Sequence, residues 1–314
     1  MTDLVWRPAT LADVPELTRL DNTLTVAEGN HDLETEPGML DRLALAKVAL
    51  PVDTLLAVAP DGAVVGWGMV PPPPEGGDIW HCDGGVHPDW RGLGIGRRLL
   101  GWQLERATEQ RAARGATVPW RLDIGVLDGD HQTARLCARA DMKPVRFWFE
   151  MERPVADPIP PPALVGGLRV VEYDERYAAA LHAAHMEAFV GNFGFQQRPF
   201  AAWRVLLSGA SFRPRQSVLA LDPAGEVAGY LLSFGFSDPT RMTMGTIGTR
   251  PAWRRQGVAA ALIAAGLAAY RTANIETACL DVDSGNSTGA VGIYERMGFH
   301  VVRKATTFSR PVGS

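Results

Sequence analysis

The same turn is written twice in this chain. Pro251, Trp253, Arg254 and Gly257 stand in the same relative places as Pro88, Trp90, Arg91 and Gly94, one stretch 163 residues after the other (251 − 88 = 163). A period of that length is a duplicated domain, since solenoid units repeat every 20–50 residues or so. In the second copy the turn lies between an extended run at 242–249 and an alanine-rich helical pattern that begins at Val258. A small-residue turn from strand into helix leaves backbone N–H groups without partners at the positive end of the helix dipole. Such a place is an anion site, and phosphate is its usual occupant.

A chain of 314 residues accommodates two such domains, each able to bury its own core. The net charge of −4 gives no reason to expect a nucleic acid or an anionic membrane surface as partner. No apolar run approaches the ~20 residues that span a bilayer, and the first residues lack the apolar core and cleavage site of a signal peptide. Cys82, Cys137 and Cys279 are isolated from one another, with no CxxC pair. We therefore expect no metal site and no disulfide, but buried thiols in a cytoplasmic protein, either monomer or homodimer.

Read in order, the first half predicts a strand at 4–7 and a helix carrying Leu11, Val14, Leu17 and Leu20 at helical spacing. A hairpin follows at 54–59 and 63–70, turning at Pro60, Asp61 and Gly62. A third strand should run from 79 to 86 into the turn, and Leu99, Leu100, Leu104 and Ala107 should form the stripe of the next helix. A strand at 120–126, a helix at 132–140 and a strand at 145–151 complete the half. The second half repeats this order, with a hairpin at 217–221 and 227–236, a helix from 258 through Tyr270, a strand at 277–282, a helix at 287–297 and a last strand at 299–309. We expect an N-terminal domain at 1–153, a proline-rich, semi-rigid linker at 154–166 and a C-terminal domain at 167–314.

Known phosphate loops do not fit the turns. A dinucleotide fingerprint needs glycine where Arg97 or Leu99 stands, and a P-loop needs Gly-Lys-Ser/Thr, which is absent. Both turns instead read Gln/Arg-x-x-Gly-x-Gly/Ala, as Arg91-x-x-Gly94-x-Gly96 and Arg254-x-x-Gly257-x-Ala259. Downstream of the second come Asn286, Ala290, Ile293-Tyr294-Glu295 and Gly298-Phe299. Together these resemble the Gcn5-related N-acetyltransferase (GNAT) superfamily over essentially the whole chain, most strongly across 245–303. The resemblance implies an α/β (α+β) protein of two tandem GNAT-fold domains, each a mixed, mostly antiparallel sheet flanked by helices. It implies N-acetyltransferase activity, with acetyl-CoA as donor and a small-molecule amine as acceptor, the alternatives being a non-catalytic acyl-CoA-binding or sensing module and a protein N-acetyltransferase.

On that resemblance acetyl-CoA lies in a splay between the fourth and fifth strands, its thioester held near Ile247, Gly248 and Thr249. Its pyrophosphate sits on the N–H groups of Arg255, Gln256, Gly257, Val258, Ala259 and Ala260, aided by Arg254 or Arg255, and Asn286 flanks the pantetheine arm. In the first half the matching positions are Val86, Arg91, Gly92, Leu93, Gly94, Ile95, Gly96 and Arg97. Tyr294 becomes the general acid that protonates the leaving thiolate, although a tyrosine in a helix also serves for packing. The first half departs here. Cys137 falls where the tyrosine belongs and Asp141-Met142 replaces Gly-Phe, so this half is expected to bind CoA without turning it over.

The general base is left open. The chain is distantly similar to tandem mycothiol synthases, for which the resemblance implies an acidic residue on the fourth strand of the second half. The comparable position here is Thr243, and 241–249 contains no carboxylate. His185, Glu187 and Asp238 remain as candidates, beside an amine that arrives already deprotonated. Phe193, Phe195, Phe200, Trp203 and Phe212 either wall the acceptor cleft or pack between the halves. The acidic stretch with Glu28, Asp32, Glu34 and Glu36 is expected to be a solvated face, or to draw a cationic acceptor if it borders the cleft.

Overall fold

In the computed structural model, residues 3–29, 33–74, 77–117, 119–161, 167–286 and 289–313 are described. Asp32, the end of the expected linker (162–166) and the expected helix start at Ser287 lie outside them. In chain order the elements are β1 (Val5–Arg7), α1 (Val14–Ala27), α2 (Glu36–Leu45), α3 (Leu50–Asp53), β2 (Thr54–Val58), β3 (Val64–Met69), β4 (Ile79–His81), β5 (Asp83–Val86), α4 (Ile95–Ala113), β6 (Trp120–Leu127), α5 (His131–Arg139) and β7 (Lys143–Pro154). Then follow β8 (Arg169–Glu172), α6 (Ala178–Phe189), α7 (Phe200–Arg204), β9 (Val218–Leu221), β10 (Val227–Phe234), β11 (Arg241–Thr249), α8 (Val258–Thr272), β12 (Thr277–Asp283), α9 (Ala290–Arg296) and β13 (His300–Val312). Helices and mixed sheets alternate as the GNAT resemblance implied.

The chain divides into two compact units, one of residues 1–146 with 305–314, the other of 147–304. In the first unit, β1, β2, β3 and β5 form an antiparallel sheet. The hairpin between β2 and β3 turns where expected, with Gly62 at φ 90° and Ala59 N–H donating to Ala63 O at 2.9 Å. β6 runs parallel to β4, and its other edge is taken by residues 305–312 of β13. In the second unit, β8, β9, β10 and β11 are antiparallel, β12 is parallel to β11, and residues 148–154 of β7 line the outer edge of β12. The first unit thus completes its sheet with the end of β13, far from the rest of it in sequence, and the second with the end of β7, the strand just before its own β8. Val155 is buried and Ile159 packs on the core of the second unit, so the stretch after β7 is fastened there.

Two local expectations change. The strand expected at 79–86 breaks at Cys82, because β4 pairs with β6 while β5 pairs with β3. Leu11 is not part of the helical stripe: it belongs to a single 3-10 turn before α1 and is 69% exposed, while Val14, Leu17, Leu20 and Leu24 are buried. The inward face of α4 also differs from a plain apolar stripe. Leu99, Leu100 and Ala107 are buried as expected, but so are Gln103 and Gln110, whose amides donate to Met69 O, Asp83 O, Val70 O and Asp53. These bonds satisfy polar groups at the strand edges that would otherwise be buried without partners. In α8, Val258, Ala261, Leu262, Ile263 and Leu267 turn onto Leu231, Met242 and Met244, and Tyr270 closes the helix by a 2.7 Å bond to Ser233.

Candidate active site

In the second unit β11 and β12 pair only at Arg241–Thr277, Met242–Ala278 and Thr243–Cys279. Among the described residues the ladder ends there, although β11 continues to Thr249 and β12 to Asp283. The two strands therefore part after Thr243 and leave unpaired backbone along Ile247, Gly248 and Thr249 on the side facing β12. A bulge reinforces this, since Leu232 pairs Thr246 while Ser233 pairs Met244, leaving Gly245 as the extra residue. The first unit repeats the arrangement. There the parallel ladder is Ile79–Arg121, Trp80–Leu122 and His81–Asp123, after which β5 turns to β3 alone.

The open end of β11 leads through a 3-10 turn (Pro251–Trp253) into α8. Gly257, at φ 79°, sets the left-handed step that starts the helix. The first N–H there to find a carbonyl is that of Ala261, which donates to Gly257 O at 3.0 Å. The N–H groups of Val258, Ala259 and Ala260 precede the helical ladder and remain available at the positive end of a 15-residue helix. A side chain built at Gly257 would meet nothing within 4 Å, so the space over the turn is open. In the first unit Gly94, at φ 87°, precedes Ile95, Gly96 and Arg97 in the same way, and Arg98 N–H is the first to bond, to Gly94 O. That cradle is open too, with Leu93 63% exposed beside it. Gly96 lies closer to its surroundings, a Cβ there falling 3.3 Å from Leu136 and 3.7 Å from Val86.

The arginines of the two turns have separate tasks. Arg254 donates to Thr249 O (3.3 Å) and Ala188 O (2.9 Å), tying the turn to its own strand and to the end of α6. Arg91 likewise reaches Val86 O. Arg255 is exposed and holds φ 61°, a left-handed conformation that side chains avoid; its counterpart Gly92 has φ 81°. Gln256 folds back onto Ala252 O at 3.0 Å.

Tyr294 lies on α9, partly buried against the core of the second unit, with its ring 6.2 Å from that of Phe299. Burial pushes its phenol up to about 12, so at neutral pH it carries its proton. Asn286 sits three residues after the end of β12, its N–H on Asp283 O at 3.0 Å. In the first unit the corresponding Cys137 is fully buried, and burial pushes its thiol up to about 11.

The candidates for a base fare differently. Glu187 is occupied by Arg250 at 2.7 Å, and Asp238 caps its own turn through Thr240 at 2.6 and 2.8 Å. His185 on α6 meets the hydroxyl of Tyr230 at 2.5 Å. Tyr230 is fully buried on β10, opposite Gly248 in the ladder. A Cβ at Gly248 would fall 2.7 Å from the Tyr230 oxygen, so the absence of a side chain is what lets the ring lie over the strand. Tyr230 was not among the sequence candidates. It stands 163 residues after Trp67, the same offset as the turns, and that alignment is the signal that marks it.

The aromatic candidates pack within the second unit. Trp203 and Phe212 are buried in its core, Phe212 edge-on to Tyr173 at 5.3 Å. Phe195 borders His185 (5.9 Å) and Phe200 borders His182 (5.5 Å).

A mixed sheet whose fourth and fifth strands part over an open helix N-terminus is built twice here, the arrangement of a tandem acyltransferase. The profile of the Acetyltransferase (GNAT) family matches residues 18–120 and 165–299, and the chain belongs to that family. It is 30% identical to a mycothiol acetyltransferase of Thermobispora bispora over 82% of this chain and 90% of that one. A mycothiol acetyltransferase of Tsukamurella paurometabola is 29% identical over 87% and 96%. The fold is shared with a GCN5-related N-acetyltransferase from Sphaerobacter thermophilus (TM-score 0.81, 24% identity, 99% of this chain and 96% of that one). It is shared as well with a tandem GNAT protein from the clavulanic acid biosynthesis pathway (TM-score 0.73, 18% identity, 99% of each). Among the described residues no helix is long and apolar enough to cross a membrane.

Proposed function

We propose that this acyltransferase moves an acetyl group from acetyl-CoA to the primary amine of a small-molecule acceptor, with the chemistry in the second unit. The observation that carries the reading is the parting of β11 from β12, which ends on the open cradle of Gly257 and α8. The N–H groups from Arg255 to Ala260 would hold the pyrophosphate, with the Arg255 side chain adding charge. Arg254, spent on Thr249 and Ala188, shapes the turn instead. The edge of β11 at Ile247, Gly248 and Thr249 would hold the thioester arm, and Asn286 would flank it. A backbone donor there stabilises the oxyanion formed on attack. Tyr294, protonated at neutral pH, gives the departing thiolate its proton.

The relatives named mycothiol acetyltransferases favour a small acceptor over a protein side chain. Three buried cysteines outside any disulfide fit a reducing cytoplasm. The first unit, with Gly92, Leu93, Gly94, Ile95, Gly96 and Arg97 in an open cradle but Cys137 in place of the acid, would bind CoA without turnover. Calorimetry of acetyl-CoA on the chain with Gly94→Val and Gly257→Val separately, beside thiol release across a panel of amines, tests both statements. Binding lost at both positions and turnover lost only with Gly257→Val is the expected result. Turnover that survives Gly257→Val overturns it.

A further inference from the structure

We propose that His185 is the proton acceptor of acyl transfer in the second unit, its ring held in place by the hydroxyl of Tyr230. The inference rests on the acetyl-transfer reading and names a residue it left open. Of the three side chains that the sequence offered, two are already engaged, Glu187 by Arg250 and Asp238 by Thr240. His185 alone has a nitrogen to spare. Its Nδ1 meets Tyr230 Oη at 2.5 Å, and among the described residues no protein group bonds Nε2.

Position supports the role. Tyr230 lies over Gly248, so His185 stands one hydroxyl away from the strand edge that would carry the thioester. The helix that bears it is pinned to the same strand end, Glu187 through Arg250 and Ala188 O through Arg254. Phe189 stacks on the ring at 4.6 Å, with Trp203 at 5.5 Å and Phe195 at 5.9 Å, and these contacts fix its orientation. That apolar setting keeps the ring uncharged: burial first, then the charges of His182 and Arg198, push its pKa down to about 4. The role belongs to the tautomer whose Nδ1–H donates to Tyr230 Oη, which leaves the lone pair on Nε2.

The first unit supplies a control within the same chain. Asp21 stands on α1 at the place of His185, with Leu17 and Leu24 matching Leu181 and Ala188 around it, and Trp67 stands at the place of Tyr230. Asp21 is held by Arg42 at 3.0 Å. The unit that lacks the acid, with Cys137 for Tyr294, therefore lacks the free base as well.

In the step itself the amine nitrogen adds to the thioester carbonyl carbon, and the proton that nitrogen sheds passes to His185 Nε2. The carbonyl re-forms as the C–S bond breaks, and the sulfur takes the phenolic proton of Tyr294. An acetamide, free CoA, an imidazolium and a phenolate result, and proton transfer from imidazolium to phenolate through solvent restores the enzyme.

Bromoacetyl-CoA tests the placement on the full chain without any acceptor. Its bromomethyl carbon occupies the acetyl position, and attack by Nε2 expels bromide and leaves a stable adduct. The three cysteines are buried and do not compete. Peptide mass spectrometry is expected to find the adduct on His185, suppressed by excess CoA and absent from His185→Gln. A chain that binds CoA in calorimetry but is labelled elsewhere or not at all overturns the proposal, whereas a chain that binds no CoA overturns the acetyl-transfer reading beneath it. As a second readout, His185→Gln should lower kcat by at least about a hundredfold on any amine the wild type acetylates, at unchanged acetyl-CoA affinity. Wild-type kcat in that variant also overturns the proposal.

Discussion

Replacing Tyr294 by Phe removes one oxygen and should separate chemistry from stability. Among the described residues its hydroxyl has no hydrogen-bond partner, so at pH 7 the variant is expected to match the wild-type stability within about 0.5 kcal/mol. Acetyl-CoA affinity should hold as well, because the cradle of Gly257 is untouched. The rate should not: loss of a general acid costs roughly 10²–10⁴-fold in kcat. A second signature comes from the phenol's own titration. Burial raises it from 10 to about 12 in the folded chain. A raised folded pKa means that the stability it contributes is complete below pH 10 and is lost as pH rises toward 12. Two pH units correspond to about 3 kcal/mol at the limit, and at pH 11 the loss is roughly 1–2 kcal/mol. Urea unfolding at pH 7 and pH 11 should therefore show a smaller alkaline loss in Tyr294→Phe by that amount. Tyr230 and Tyr270, also buried, titrate alike in both chains and cancel in the difference. Turnover that persists in Tyr294→Phe while it vanishes in Cys137→Ala would refute the assignment, and an unchanged alkaline loss would show that Tyr294 is not held in an apolar setting.

Arg255→Gly should stabilise the chain by about 0.5–1 kcal/mol, since leaving the left-handed region relieves about 1–2 kcal/mol and glycine returns about half of it in chain entropy; the thermal midpoint should rise while acetyl-CoA affinity falls. Asp13, held at about 2 against its ordinary 3.8, chiefly by the Arg7 hydrogen bond, is a depressed carboxyl. Its contribution is complete above pH 4 and lost as pH falls toward 2. Because Arg7 is 39% exposed, that contribution is discounted to about 1–2 kcal/mol, and acid titration of Asp13→Asn against the wild type reads it directly.

Much of this molecule was legible in its residues, and what was not has a physical cause. The turns, hairpins and helix order followed from glycine placement and periodicity, which are local. That β13 ends in the first unit while β7 ends in the second was not readable. β7 and β13 follow equivalent helices, and alternation along a strand says which face it buries but not which neighbour it joins. Leu11 fitted the three-residue spacing yet lies outside, because spacing alone does not reveal that the helix proper starts at Val14. That Arg254, rather than Arg255, is taken up by the turn was not readable, because a cation in an anion loop bears no local mark of the two carbonyls, Thr249 O and Ala188 O, that its guanidinium meets. Tyr230 went unread because a tyrosine inside a buried strand has no local mark of its partner on α6.

The duplication distinguishes what the fold needs from what the chemistry needs. Five positions hold positive φ in both copies whatever residue stands there: Gly62 and Gly225 (90° and 88°), Gly92 and Arg255 (81° and 61°), Gly94 and Gly257 (87° and 79°), Gly115 and Asn274 (62° and 56°), Asp141 and Gly298 (58° and 87°). A conformation kept while its residue changes belongs to the backbone of the fold. Cys137 against Tyr294 and Asp21 against His185 are the opposite case, since the helices that carry them keep their place while the side chains change in chemistry. On the roles proposed for Tyr294 and His185, returning the acid alone should not revive the first unit. With the second site silenced by Tyr294→Phe and Gly257→Val, Cys137→Tyr is expected to bind acetyl-CoA through Gly94 and still release no thiol, because Asp21 stays neutralised by Arg42. Cys137 is fully buried, so the added ring costs about 1–3 kcal/mol by overpacking, and unfolding curves must first show the chain folded. Thiol release from that folded variant would mean that the acid suffices, and that the pairing of His185 with Tyr230 serves only to pack α6 on β10.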